Sequence, residues 1–242
     1  MYIKQTHSTS TLLREQYADH LPHLYTIRTD FQTAGRGQAG NSWESEAGKN
    51  LLFSTLLRYQ GILASQQWRL SMLVAVALWD TLAKHLPQDK LSIKWPNDIY
   101  YQDKKIAGIL IENSIQGSKI SSSIVGIGLN VNQTHFISDA PNPISLASIT
   151  GKQYSLSTLF ENLQLHLRFR YNQLMSRDYF QLRSDYHRRL YRLGCSSLYE
   201  DATGTFEAVL DSVANDGQLC LKLQSGESRF FYMKEVQFLF DR

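Results

Sequence analysis

The stretch from residue 91 to residue 131 restricts the fold more than any other, because it reads as strand after strand separated by tight turns. Leu91-Ser92-Ile93-Lys94-Trp95 is a short strand broken by Pro96-Asn97-Asp98. A hairpin then runs through Tyr100 and Tyr101 and turns at Gln102-Asp103-Lys104. It returns as Lys105-Ile106-Ala107-Gly108-Ile109-Leu110-Ile111-Glu112, and residues 120–131 form the next strand. Strands that meander through short turns build a mixed or mainly antiparallel sheet, since parallel neighbours need a long crossover. Gly108 interrupts an otherwise apolar strand, which often marks close approach of a ligand or another backbone.

Helices flank this stretch. Residues 68–86 place Leu70, Leu73, Val74, Ala77, Leu78 and Leu82 at helical spacing, a core stripe that Pro87 ends. Residues 156–174 carry Leu159, Leu163, Leu167 and Tyr171 in step. A further helix over residues 177–193 carries Arg183, Arg188, Arg189 and Arg192, the one basic patch. It reads as a solvated helix face, with docking of an acidic partner as the minority reading. Ser8-Thr9-Ser10-Thr11 before Leu12 and Leu13 marks a helix N-terminus, where capping is the ordinary role of Ser8 and Thr9. Residues 24–29 and 51–57 read as strands and residues 145–149 as a short helix. From Ser197 the pattern changes to short strands. Residues 204–213 pair with 219–223 across Asn215-Asp216-Gly217, a strong hairpin signal, and strands at 229–232 and 236–240 follow. Gly194 therefore divides an α/β (α+β) unit over residues 1–193, a mixed sheet flanked by helices, from a small β-barrel or sandwich over 194–242.

With 43% hydrophobic and 19% charged residues in 242, this is the composition of a folded, soluble chain. A net charge of +3 is too small to argue for nucleic acid without a located patch. The longest apolar run, residues 72–79, is far short of a membrane span. Lys4, His7 and Arg14 have no apolar core behind them, so no signal peptide is expected and a cytoplasmic location is. Cys195 and Cys220 lack metal-ligand spacing and are expected as reduced thiols.

The strand at 24–29 delivers the chain into residues 32–43, where Gly35, Gly37 and Gly40 surround Arg36 and Trp43 closes the segment. Glycines let backbone N–H groups turn toward an anion, and arginine adds a forked cation. The spacing satisfies G-x-G-x-x-G, but residues 41–50 read as loop and 51–57 as a strand without an acid. The dinucleotide reading fails on that context. Gly48-Lys49 is followed by Asn50 and lacks the preceding glycine of a phosphate-binding P-loop. No Gly-x-Ser-x-Gly elbow is present, and the seven histidines are scattered. Arg36, Asn97-Asp98 and Lys105 remain, a cation-and-glycine site with one carboxylate. Such a set suits activation of a carboxylic acid by attack on the α-phosphate of ATP, where fixed donors stabilise the charge growing on five-coordinate phosphorus.

Four ordered segments resemble biotin–protein ligases: Gly35-Arg36-Gly37-x-x-Gly40-x-x-Trp43, Lys94-Trp95-Pro96-Asn97-Asp98-Ile99, residues 105–112, and Gly126-Ile127-Gly128-Leu129-Asn130-Val131-Asn132. These enzymes attach biotin to acetyl-CoA carboxylase and related carboxylases. The resemblance covers essentially the whole chain and implies a mixed-sheet catalytic domain followed by an SH3-like barrel. It implies a two-step reaction. Biotin and Mg-ATP give biotinyl-5′-adenylate and pyrophosphate, and a lysine of the biotin carboxyl carrier domain then attacks and releases AMP. By the same resemblance Ser8, Thr9, Ser10 and Gln32 contact biotin, with Gly108 at the pocket wall. Arg36, Gly37 and Gln38 close over biotin's carboxylate and the adenylate phosphate, and Lys105 contacts both. Gly35, Trp43, Asn97 and Asn130 belong to the nucleotide side, and Asp98 orients or deprotonates the incoming lysine. No metal ligand is assigned.

Two departures follow. Family loops often carry more arginines, whereas Gln38, Ala39 and Asn41 leave Arg36 as the only cation between Gly35 and Trp43. The motifs begin by residue 8, so a ligase without an N-terminal DNA-binding domain is expected, acting as a monomer or homodimer and binding neither DNA nor membrane. Two alternatives stay open. One is a lipoate ligase or octanoyltransferase on a similar fold. The other is a biotin- or nucleotide-responsive regulator binding DNA through the basic helix.

Overall fold

Alternation along the central strands sorts their side chains onto two faces, and the site grows from one of them. The computed structural model describes residues 1–16, 21–137, 142–176 and 179–240. In chain order come β1 (Tyr2–Thr6), α1 (Thr9–Glu15), β2 (Thr26–Gln32), β3 (Leu51–Arg58), α2 (Trp68–Leu82), β4 (Leu91–Lys94), β5 (Asp98–Tyr101), β6 (Lys104–Gln116) and β7 (Lys119–Leu129). Then follow α3 (Leu146–Thr150), α4 (Leu156–Met175) and α5 (Tyr179–His187), and last β8 (Ser196–Asp201), β9 (Gly204–Val213), β10 (Leu219–Leu223), β11 (Ser228–Phe231) and β12 (Val236–Phe238).

The first seven strands form one sheet in the order β1-β2-β3-β7-β6-β5-β4, as the meander at residues 91–131 requires. β1 and β2 are parallel and the other neighbouring pairs antiparallel, so the sheet is mixed. β1 had no reading in the sequence: its polar Lys4-Gln5-Thr6 shows no buried alternation, and tertiary pairing with β2 makes it a strand.

In β3 and β7, odd-numbered Leu51, Phe53, Leu57, Val125, Ile127 and Leu129 face the main core, built on α2. Even-numbered Leu56 and Ile124 join Leu13 and Ile27 in a small cluster under α1. α2 is buried nearly all round because α4 and α5 cover its other side. Each fully buried leucine there contributes about 1.5–3 kcal/mol.

The expected helix over 177–193 is shorter, Tyr179–His187, and its first two expected residues lie outside the described ones. Beyond it the chain runs along β4: Ile93 N donates to Arg189 O (2.7 Å) and Tyr191 N to Ile93 O (2.9 Å). The reading of its arginines as a solvated face holds for Arg188, 60% exposed, and is corrected for Arg189 and Arg192. Arg189 is only 10% exposed and reaches Asp80 (3.2 Å) and Asp185 (3.5 Å). Arg170, buried on α4, binds the same two carboxylates at 2.8 and 2.6 Å, and Arg188 adds a contact to Asp185. Arg192 donates to Leu239 O (2.8 Å). Carboxylates contributed by α2 and α5 absorb the charge, which residue spacing on one helix does not reveal.

β8–β12 form a five-stranded antiparallel sheet in the order β11-β10-β9-β8-β12. Its Asn215-Asp216-Gly217 turn docks on the first unit, where Trp95 Nε1 donates to Gly217 O (2.9 Å). Gly217 has φ +95°, and a Cβ there would stand 2.8 Å from the Trp68 ring, so only glycine fits. Cys195 is exposed, Cys220 is buried, and neither is in a disulfide. Among the described residues no helix is long and apolar enough to cross a membrane.

Candidate functional site

On the face away from the main core, one row of the sheet runs Lys94–Asp98–Gly108–Gly128–Leu52 across β4, β5, β6, β7 and β3. The two glycines in this row clear space for the indole of Trp43. A Cβ at Gly128 would lie 2.4 Å from that ring, and one at Gly108 would lie 2.9 Å from it. Lys105, odd-numbered, would face the core in a regular β6. A bulge, in which Ile99 pairs with Ala107 but Tyr100 with Lys105, turns Lys105 to the site and Ile106 into the core. There Lys105 Nζ meets Asp98 Oδ1 at 2.9 Å and lies 5.6 Å from the Trp43 ring centroid.

The glycine loop folds over this floor. Gly37 N donates to Asn41 O (2.6 Å) and Trp43 N to Gly35 O (2.9 Å), closing the segment on itself. Arg36 Nη2 reaches Glu112 Oε1 (3.0 Å), which also takes Arg14, while Arg36 Nη1 donates to Thr11 Oγ1 (3.3 Å). The lone cation of the loop is thereby fastened to α1 and β6.

Beneath the loop lies a small pocket of about 50 Å³. Ser8, Thr9, Ser10, Gln32, Arg36, Gly37, Gln38, Lys105 and Gly108 line it, and so do Trp43 and Asn97, expected on the nucleotide side, and Asp98. Its polar end is built by hydrogen bonds that tie α1 to β2 and β3. Gln32 Oε1 accepts from Thr9 N (2.8 Å) and Thr9 Oγ1 (3.1 Å), and Thr9 Oγ1 and Ser54 Oγ share a bond of 2.8 Å. Ser8 also caps α1 by accepting from Thr11 N, so capping and pocket lining coincide.

Asn97 holds the turn to β6: its side-chain amide donates to Ile109 O, and its own carbonyl accepts from Ile109 N (3.1 Å). Gly35 lines neither cavity, and its part is loop closure, since a Cβ would stand 2.6 Å from Trp43 O. Asn130, just past β7, lines a second and larger cleft of about 800 Å³ shared with Trp43, Asp98 and Lys105. Its Oδ1 and Trp43 Nε1 are buried with no hydrogen-bond partner among the described residues. The far wall of the cleft comes from the second sheet, with Lys234, Val236 and Phe238. Sequence reasoning missed Ser54, which an apolar strand hides, and gave no role to Glu112, Gly128 or Lys94 although their motifs were read. Among the described residues no group of three or more His, Cys, Asp or Glu side chains could hold a metal ion.

A sequence model of the biotin/lipoate A/B protein ligase family matches residues 2–130. A biotin–[acetyl-CoA-carboxylase] ligase of Paracoccus denitrificans is 31% identical over 81% of this chain and 82% of its own. The bifunctional ligase/repressor BirA of Bacillus spizizenii is 28% identical over 93% of this chain and 69% of its own. Among solved structures, a biotin protein ligase from Aquifex aeolicus in complex with biotin and ATP superposes with a TM-score of 0.82 at 23% identity, covering 99% of this chain and 98% of that one, and so shares the fold. On the extent of these matches, the chain belongs to the biotin/lipoate A/B protein ligase family.

Proposed function

We propose that this protein is an ATP-dependent biotin–protein ligase that forms biotinyl-5′-AMP and transfers biotin to a lysine of a carboxylase's biotin carboxyl carrier domain. The observation that carries the reading is the meeting of a small hydroxyl- and amide-lined pocket with a cation-bearing cleft at Lys105 and Asp98. A ligand held in the first can present a carboxylate to a nucleotide in the second. Ser8, Thr9, Ser10, Gln32 and Ser54 supply the donors and acceptors that a ureido ring needs. A purely apolar tail would use none of the donor and acceptor capacity these groups keep beyond their bonds to one another.

In the first step a carboxylate oxygen of biotin attacks the α-phosphorus of Mg-ATP, and the bond to the bridging oxygen breaks as pyrophosphate leaves. Lys105 Nζ, together with N–H groups of the loop, stabilises the charge on the phosphorus centre. Arg36, with N–H groups beyond those held by Glu112 and Thr11, completes the lid. Trp43 and Asn130 border the base. In the second step the carrier lysine attacks the acyl carbon, Asp98 orients its amine, and AMP leaves. Residues 1–193 act as the catalytic unit, residues 194–242 close the nucleotide cleft, and the site of action is the cytoplasm.

The deciding experiment incubates the protein with ATP and either biotin or lipoate, plus a carrier domain and a lipoyl domain. Biotin on the carrier-domain lysine is expected, and labelling confined to the lipoyl domain overturns the reading.

A further inference from the structure

Lys94 stands in the same cross-strand row as Asp98, yet that carboxylate is held by Lys105 at 2.9 Å. Among the described residues Lys94 has no ion-pair or hydrogen-bond partner for its ammonium group. Three aromatic rings surround it instead: Phe238 at 4.6 Å, Tyr100 at 5.4 Å and Phe240 at 6.0 Å from Nζ to ring centroid. Phe238 belongs to β12 and Phe240 follows it by two residues, so the cage exists only when the second sheet is docked. Ring faces give an ammonium part of what water gives it, but no counter-charge. Lys94 opens into the large cleft beside Lys105, and Lys234 lies on the opposite wall. Lys94, Lys105 and Lys234 line the cleft with two carboxylates: Asp98, engaged by Lys105, and Glu44, which accepts from Gln133 Nε2 (3.2 Å) and Ile137 N (2.9 Å). The ammonium groups still outnumber the carboxylates, and Lys94 is left for an anionic ligand to pair.

We propose that Lys94 belongs to a pyrophosphate subsite, contacting the β- and γ-phosphates of ATP and stabilising pyrophosphate as it departs. The proposal rests on the ligase reading above. The step it serves is balanced: the carboxylate oxygen–phosphorus bond forms, the α-phosphorus–bridging oxygen bond breaks, and pyrophosphate leaves with the electron pair. No proton moves. Lys94 serves the leaving group and Lys105 the phosphorus centre, so the two lysines are not redundant.

The two half-reactions separate this role from a structural one, because pyrophosphate takes part only in the first. In Lys94→Met, adenylate formation from biotin and ATP is expected to fall at least about tenfold. The apparent inhibition constant for pyrophosphate rises by a similar factor, and transfer from preformed biotinyl-5′-AMP to the carrier domain stays within about twofold. Lys94→Arg restores most of the adenylation. Equal loss in both half-reactions, or unchanged pyrophosphate inhibition, overturns the proposal. The unmodified enzyme supplies a second arm: saturating pyrophosphate protects Lys94 from acylation by acetic anhydride, read by mass spectrometry, and absence of protection equally overturns it. Failure of the unmodified enzyme to make biotinyl adenylate is a different result, and overturns the ligase reading itself.

Discussion

Two clusters of charge sit on opposite sides of β4, and they are built to opposite rules. Behind the sheet, Asp80 and Asp185 bind Arg170 and Arg189 through four contacts of 2.6–3.5 Å, and Arg188 closes the set. In the cleft, Lys94, Lys105 and Lys234 face two carboxylates, Glu44 and Asp98, and of the three lysines Asp98 contacts Lys105. Matched buried charge holds elements together, whereas unmatched charge facing a cavity is a demand for ligand. The first cluster joins α2, α4 and α5; the second lines the cleft.

The largest effect is expected where matching is tightest. Asp185→Ala leaves Arg170 and Arg189 facing each other with one carboxylate, and should destabilise the fold by about 3–5 kcal/mol in urea unfolding. Activity per folded molecule should hold, and loss of kcat with intact stability would erase the distinction between the clusters. Burial works against the Asp185 carboxylate, but hydrogen bonds from Arg170 and Gln181 and the charges of Arg170 and Arg189 hold its pKa below the ordinary carboxylate value. A depressed folded pKa gives stability that is present above the unfolded value of ~3.9 and is lost as pH falls through the folded one. Acid unfolding of the variant should therefore be flatter below about pH 4.

Next comes the reacting centre. Lys105→Ala should reduce adenylate formation by roughly 10²-fold, with unfolding free energy changed by less than about 1 kcal/mol. Adenylation near the unmodified rate, followed as biotin-dependent pyrophosphate release, would remove Lys105 from the mechanism.

The contrast also explains what the sequence made legible. Apolar periodicity gave the sheet meander, α2 and α4, because burial repeats along one element. The motif around Lys105 identified a reactive lysine, but not the bulge at Ile106 that turns it to the site, since bulges depend on the partner strand's register. Gly128 was read as part of a motif, and its reason, contact with a Trp43 ring far away in sequence, is tertiary. The arginines near 189 were misread for the same cause: Asp80 is a hundred residues distant and appears in the sequence as an ordinary helix-surface acid. Lys94 was passed over because its meaning lies in a partner it lacks.

The half-exposed triple Arg14–Glu112–Arg36 falls between the two clusters and tests whether the lid is fastened by charge. Glu112→Gln should weaken the hold on Arg36 by about 1 kcal/mol, the upper range for such pairs, so biotin leaves about five times faster. Stopped-flow fluorescence reporting Trp43 would follow it. An unchanged dissociation rate would place the fastening at Trp43 on its glycine floor instead.

The smallest effect has the opposite sign to the first. Burial lowers the pKa of Lys94, and Lys105 and Arg192 lower it further against the raising influence of Asp98. A lysine whose folded pKa lies below its unfolded value of ~10.4 binds its proton less well when folded, so at neutral pH the charge works against folding. Lys94→Met, apolar and able to pack on the same rings, should raise Tm by about 2 °C, equivalent to ~0.5–1 kcal/mol for a chain of this size. The difference should shrink as pH climbs from the folded pKa toward ~10.4, where the unfolded chain also releases the proton. Added pyrophosphate should reverse the order, raising Tm of the unmodified protein by mass action and leaving the variant unmoved. A lower Tm for Lys94→Met at neutral pH would show that the aromatic cage holds the ammonium as firmly as the carboxylates behind the sheet hold their arginines, and the two clusters would then obey one rule.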